Sequence, residues 1–184
     1  CPYFGRCGGC RLQNMAYPAQ LAFKAKQVAD CLARIGGLSQ VPVLPIVGAL
    51  ETFAYRNKME FTITRAGDGG VVVGLHEADR YDAVLDIERC LLQSDTLNLL
   101  LSEARAFIRD AGLTVYDQET GEGLLRFLML REGRKTGEAM VNVVTAHPDI
   151  AAVAPLAGRL TARVPQATSV VMNVNPKKAS VAIG

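Results

Sequence analysis

Apolar residues recur at helical spacing in three stretches and at alternate positions in several others, and these two periods divide the chain. Between residues 15 and 36, Leu21, Val28, Leu32 and Ile35 fall on one face, Pro18 sits in the first turn, and Gly36-Gly37 closes the run. That pattern predicts an amphipathic helix. A second helix is predicted over 94–111, with Ser94 as N-cap, Leu97, Leu100, Leu101, Ala104 and Ile108 as its apolar stripe, and Gly112 as its stop. A third is predicted over 148–163.

Residues 41–90 read as strands. The stretch 41–47 carries two prolines, which makes it an edge strand or an extended linker. From 53 to 64, Tyr55, Met59, Phe61 and Ile63 are the expected inward positions, and the turn Gly67-Asp68-Gly69-Gly70 folds the strand back onto Val71-Val72-Val73. A second hairpin is predicted between 124–131 and 138–145, and 168–175 is expected to pair with 179–183 across an Asn175-Pro176 turn. Hairpins separated by helices predict an α+β fold: a mostly antiparallel sheet, two or three covering helices and a Cys-rich N-terminal loop.

Composition narrows the classes. About half of the 184 residues are apolar (49%), enough for a core, and 20 basic against 18 acidic residues exclude a generally basic surface. Any nucleic-acid contact has to come from a local patch. No apolar run approaches the ~20 residues that span a bilayer, and no signal peptide is recognisable, so a soluble, cytoplasmic protein is expected. The chain opens on Cys1 rather than on a methionine, which points to a segment of something longer.

Candidate chemistry lies in the five cysteines, three of which fall within Cys1-Pro-Tyr-Phe-Gly-Arg-Cys7-Gly-Gly-Cys10. Thiolates are soft ligands that select zinc or iron–sulfur chemistry, and a C-x2-C pair presents two sulfurs from one tight loop. Gly8 and Gly9 allow close backbone approach and N–H donation to sulfur. Of the two remaining cysteines, Cys31 falls within the first helix beside Leu32 and reads as a small core residue. Cys90 precedes a helix cap, where a chain reversal presents side chains, and is the better fourth ligand. Spacing alone leaves an iron–sulfur centre, four-thiolate zinc and redox thiol chemistry open.

Read together, CPYFGRCGGCRLQ, then Tyr55-Arg56-Asn57-Lys58-Met59-Glu60-Phe61, Gly74-Leu75-His76-Glu77 and Asp86-Ile87-Glu88-Arg89-Cys90 resemble the RNA (uracil-5-)-methyltransferases, specifically the branch carrying a [4Fe–4S] cluster. The similarity extends through Leu130-Arg131-Glu132-Gly133 and Gly137-Glu138-Ala139-Met140-Val141-Asn142. It implies Cys1, Cys7, Cys10 and Cys90 as cluster ligands. It also implies a three-part enzyme, with an OB-like domain before this chain and a Rossmann-like S-adenosylmethionine-binding domain after it. Residues 1–40 would then be the cluster loop and helix, and 41–184 a central RNA-binding α+β domain. The catalytic nucleophile and the methyl-donor site are expected outside this segment.

The implied partner is RNA, with 23S ribosomal RNA the expected substrate and a monomer the expected state. Arg56 and Lys58, two residues apart on a strand, are expected to share a face and contact RNA. A ferredoxin-like electron carrier and a zinc-binding RNA adaptor are the alternatives. His76 and His147 read as turn or capping residues.

Overall fold

A computed structural model of the chain describes residues 1–179 and 182. After the cysteine loop comes helix α1 (Tyr17–Asp30), which runs on into a π-helical turn, Cys31–Ile35. Three strands follow, β1 (Lys58–Arg65), β2 (Val71–Glu77) and β3 (Arg80–Asp86). Next are α2 (Asp95–Asp110), β4 (Leu125–Gly133), β5 (Glu138–Thr145), α3 (Ile150–Arg163) and β6 (Ala167–Val174). The fold is α+β: one six-stranded sheet in the order β3-β2-β1-β4-β5-β6 and three helices.

The sheet is mixed rather than mostly antiparallel as expected. Neighbours from β3 to β5 are antiparallel, but β6 lies parallel to β5, from Ala139↔Ala167 to Thr145↔Val174. The physical reason is the intervening helix. A strand that returns through α3 re-enters from the same end, as a crossover requires, whereas a two-residue turn would have reversed it. The expected hairpin between 168–175 and 179–183 reaches residues 180, 181 and 183, which lie outside the described residues.

Helices α2 and α3 pack on each other and over one sheet face. The apolar stripe of α2 is wholly enclosed there: Leu97, Leu100, Leu101, Ala104 and Ile108 show no exposed surface. Each large side chain so buried contributes ~2 kcal/mol, and together they dock the helix. Ser94 caps it by accepting the Leu97 N–H at 3.2 Å. From the sheet, Met59, Phe61 and Ile63 of β1 enter the same core, as do Leu128, Leu130, Val141 and Val143. Phe127, Met129 and Val144 face the other way and form a smaller cluster with Ala182.

The N-terminal third departs from expectation. Helix α1 buries none of its residues, and Val28 and Ile35 of its apolar stripe are 52% and 84% exposed. It does not cover the sheet. Residues 41–47 form no strand, which leaves the extended linker of the two expected readings, while β1 begins only at Lys58, leaving Tyr55 outside it and exposed. Among the described residues, no helix is long and apolar enough to cross a membrane.

Candidate metal centre

The cysteine loop is a chain of tight turns docked on a strand end. Phe4 N–H donates to Cys1 O at 3.2 Å and Cys7 N–H to Tyr3 O at 2.8 Å, with Gly5 at φ 86° reversing the chain between them. The loop then pairs with β2: Gly8 N–H donates to His76 O at 3.0 Å, and Ala78 N–H to Arg6 O at 2.7 Å. Strand β1 pairs with β2 only from Thr62 to Arg65, so residues 6–8 lie beside the part of β2 that β1 leaves. Gly8 permits that approach, because a Cβ there would stand 3.3 Å from His76 O. Tyr3 Oη accepts the Glu88 N–H at 3.0 Å, tying the loop to the segment after β3.

That segment carries Cys90, and α2 grips it from several positions. Asn98 is the main grip. Its Oδ1 accepts from Cys90 N–H at 2.8 Å and Gln93 Nε2 at 2.9 Å, while its Nδ2 donates to Cys90 O at 3.1 Å and Ser94 O at 3.0 Å. One turn and more further along, Arg105 donates to Ile87 O at 2.5 Å, and Arg109 pairs with Asp86 at 2.7 Å. Position 90 is therefore held by side chains of a helix that is itself fixed in the core.

Cys1, Cys7, Cys10 and Cys90 line one cavity together with Tyr3, Met59, Leu75 and Ile87. Cys7 and Cys90 are buried, Cys10 half-buried and Cys1 exposed, and none is in a disulfide. Burial pushes the Cys10 thiol above its ordinary range; the negative charges of Cys90 and Cys7 act in the same direction, while Arg56 and the N-terminal ammonium oppose them. Backbone and side-chain donors point at sulfur: Gly9 N–H lies 3.4 Å from Cys7 Sγ and Gln13 Nε2 3.7 Å from Cys10 Sγ. Gln13 Oε1 is buried with no hydrogen-bond partner. Among the described residues, no group of three or more His, Cys, Asp or Glu is arranged to hold a metal ion.

Arg56 and Lys58 are not both within one strand, as the sequence suggested. Arg56 lies before β1, bridged in parallel to Gln93, and lines the cysteine cavity with Nη1 3.9 Å from Met59 Sδ. Lys58, the first residue of β1, opens onto a different groove with Asn57 and Arg131 and pairs with Glu60 at 3.3 Å. Strand alternation cannot align two residues when only one is in the strand. Cys31 is exposed in the π-helical turn, not a core residue as expected, because α1 has no core to face. His76 sits within β2, its ring 3.1 Å from Thr62 Oγ1. Sequence reasoning missed Asn98 and Gln13; a polar residue set between Leu97 and Leu101 on a buried helix face was the available signal for Asn98.

Relatives match along the whole chain. An uncharacterized RNA methyltransferase of Halalkalibacterium halodurans is 36% identical over 184 residues, covering 100% of this chain and 40% of that protein. A second, from Nitratidesulfovibrio vulgaris, is 37% identical over 186 residues with the same coverage. Another, from Synechocystis, is 34% identical over 177 residues, 96% of this chain and 38% of the relative. Among solved structures, the tRNA (uracil-54, C5)-methyltransferase of Pyrococcus abyssi, in complex with S-adenosyl-L-homocysteine, superposes with a TM-score of 0.70 at 28% identity. It covers 96% of this chain and 39% of that one. No protein-family model matches.

The α+β sheet and its cysteine loop thus belong to a class of RNA-modifying proteins. More narrowly, the chain belongs to the RNA uracil methyltransferase family. It spans about two fifths of the length of the relatives it matches (40%).

Proposed function

We propose that this chain is the central, cluster-bearing part of an S-adenosylmethionine-dependent RNA methyltransferase that makes 5-methyluridine, with 23S ribosomal RNA as its substrate. The observation that carries the reading is the convergence of four cysteines from two distant stretches on one cavity, in a chain whose full-length matches are named RNA methyltransferases. Residues 1–40 form the cluster loop and helix, and 41–184 the RNA-binding domain. The nucleophile and the methyl-donor site lie in other parts of the enzyme.

The donor set fits an iron–sulfur cluster in its chemistry. Four thiols gathered on one cavity, with N–H donors aimed at sulfur, are the donor set such a cluster takes. No three of them are placed for one ion, and the enclosed space is about 20 Å³, room for one water. Cys1, Cys7, Cys10 and Cys90 are the ligands. When bound, a [4Fe–4S] cluster supplies a covalent tie between the N-terminal loop and the segment after β3. Methyl transfer to a uracil carbon consumes no electrons, so the tie itself is a sufficient role.

Arg56, at the cavity rim, and Lys58, at the start of β1, contribute cations to the RNA surface. Unpaired bases recognised by such enzymes leave the stack, and guanidinium planes and phosphate contacts hold the strand open around them. Anaerobic purification with an absorbance spectrum and iron and sulfide analysis tests the centre. Brown protein with four irons per chain is expected on the proposed cluster chemistry, about that number. Cys90→Ser should abolish it and Cys31→Ser should spare it. Colourless protein holding stoichiometric zinc, or the reverse cysteine pattern, overturns the assignment.

A further inference from the structure

Beside the cysteine cavity, and sharing Cys10, Gln13 and Leu92 with it, lies an open groove of about 680 Å³. It runs between the cysteine loop, the start of α1 and the extended segment 49–55. Tyr17 Oη accepts the Ala49 N–H at 2.7 Å and so joins helix to segment. Two aromatic side chains on this groove, Phe53 and Tyr55, are 46% and 51% exposed, although the core lies only a few residues away.

The backbone between them is strained. Ala54 has φ 50°, a left-handed conformation that an L residue with a Cβ rarely takes. It is held there by Ala54 N–H donating to Leu91 O at 2.8 Å and Arg56 N–H donating to Leu92 O at 2.8 Å. No core packing accounts for the strain, since neither flanking aromatic is buried. What the turn at Ala54 achieves is the presentation of both aromatic rings to the groove. Such strain gathers where a ligand is held.

The remaining lining supplies charge. Arg11, 85% exposed at its side chain, and Lys24 provide cations, and Glu51 provides an acceptor. Arg11 has only a 4.0 Å pairing with exposed Asp79. Exposed aromatics interleaved with cations are what unpaired nucleic acid recognises: base faces stack on rings and phosphates meet the cations. A volume of this size takes one nucleotide.

We propose that this groove binds one unpaired nucleotide of the RNA substrate, its base stacked on Phe53 or Tyr55 and its phosphate toward Arg11 and Lys24. The inference rests on the reading of the protein as an RNA methyltransferase, and places a strand contact that neither Arg56 nor Lys58 provides.

The test uses the full-length protein and a single-stranded RNA with 5-iodouridine in place of uridine. Irradiation should crosslink the RNA to the peptide containing Phe53 and Tyr55; crosslinks confined to other peptides overturn the proposal. Phe53→Leu and Tyr55→Leu should each weaken binding about 10-fold, the loss expected of one stacking partner. Unchanged affinity overturns it. Unchanged affinity with a fall in thermal midpoint and protease resistance assigns the groove to another part of the polypeptide, and also overturns it. Wild-type protein that neither binds nor methylates the same RNA made with unmodified uridine removes the parent reading as well. Wild type that does both, beside silent groove variants, removes this inference alone.

Discussion

Asn98 is the residue on which the geometry of position 90 depends. Four of its bonds converge on a buried reversal, and they satisfy both backbone groups of Cys90. Asn98→Ala would leave the Cys90 N–H and C=O and the Gln93 amide without this partner in a place water reaches poorly. Unpaired buried groups cost ~1–3 kcal/mol each, partly relieved by local relaxation. A loss of about 3 kcal/mol in urea unfolding is therefore expected, together with a weaker hold on any metal centre. At this scale the cysteines themselves were legible, because soft-metal chemistry demands their residue type and a recognisable spacing. Their surroundings were less so. Gln13 and Arg56 owe their places beside the site to backbone turns, and no periodicity encodes the left-handed Ala54 that sets Arg56 ahead of β1.

Among the elements, α2 and the β1–β2 and β4–β5 hairpins were readable and the pairing direction of β6 was not. An apolar stripe of Leu97, Leu100, Leu101, Ala104 and Ile108 announces both a helix and the face it buries, as does the Gly-rich turn between β1 and β2. Alternation along 167–174 says strand but carries no direction; that information lay in α3, the helix standing between β5 and β6. In α1 the stripe indicated a helix correctly but not its neighbour, since periodicity records an apolar face and not what covers it. At Gly74, β2 and β3 meet so closely that a Cβ would stand 1.6 Å from Leu85 O. Gly74→Ala must part these strands, at about 3 kcal/mol or more. Because β3 leads directly to Cys90, the denaturation midpoint of the variant should fall, and with it the iron content on the proposed cluster reading, although no cysteine is altered.

For the whole molecule, Arg126 joins the sheet to the segment leaving β6. Its guanidinium, 4.3 Å above the Tyr116 ring, donates to Asn175 O at 2.6 Å, Lys177 O at 2.5 Å and Ala179 O at 2.8 Å. Three carbonyls on one planar fork define the path of residues 175–179 across the second sheet face. Charged-donor bonds of this kind are worth ~1.5–3 kcal/mol each. Arg126→Leu should destabilise the fold by about 3–5 kcal/mol. Hydrogen exchange should quicken first at 175–179, while α2, packed on the opposite face, keeps its protection.

The cysteine loop's dependence on β2 and on the segment after β3 has a consequence in time. A ribosome adding ~5–20 residues per second delivers Cys1, Cys7 and Cys10 roughly 4–16 s before Cys90, given the positions of these residues in the chain. Through that interval the strand end against which the loop docks, at His76 and Ala78, is also missing or unpaired. The nascent chain therefore carries three neighbouring thiols without Cys90 and without shelter. A disulfide between Cys7 and Cys10 formed in that window would take two of the proposed ligands before the cavity exists. Slow synthesis or an oxidising stress during translation should thus reach Cys7, which the finished fold, with Cys7 and Cys90 buried, shelters from the same oxidant.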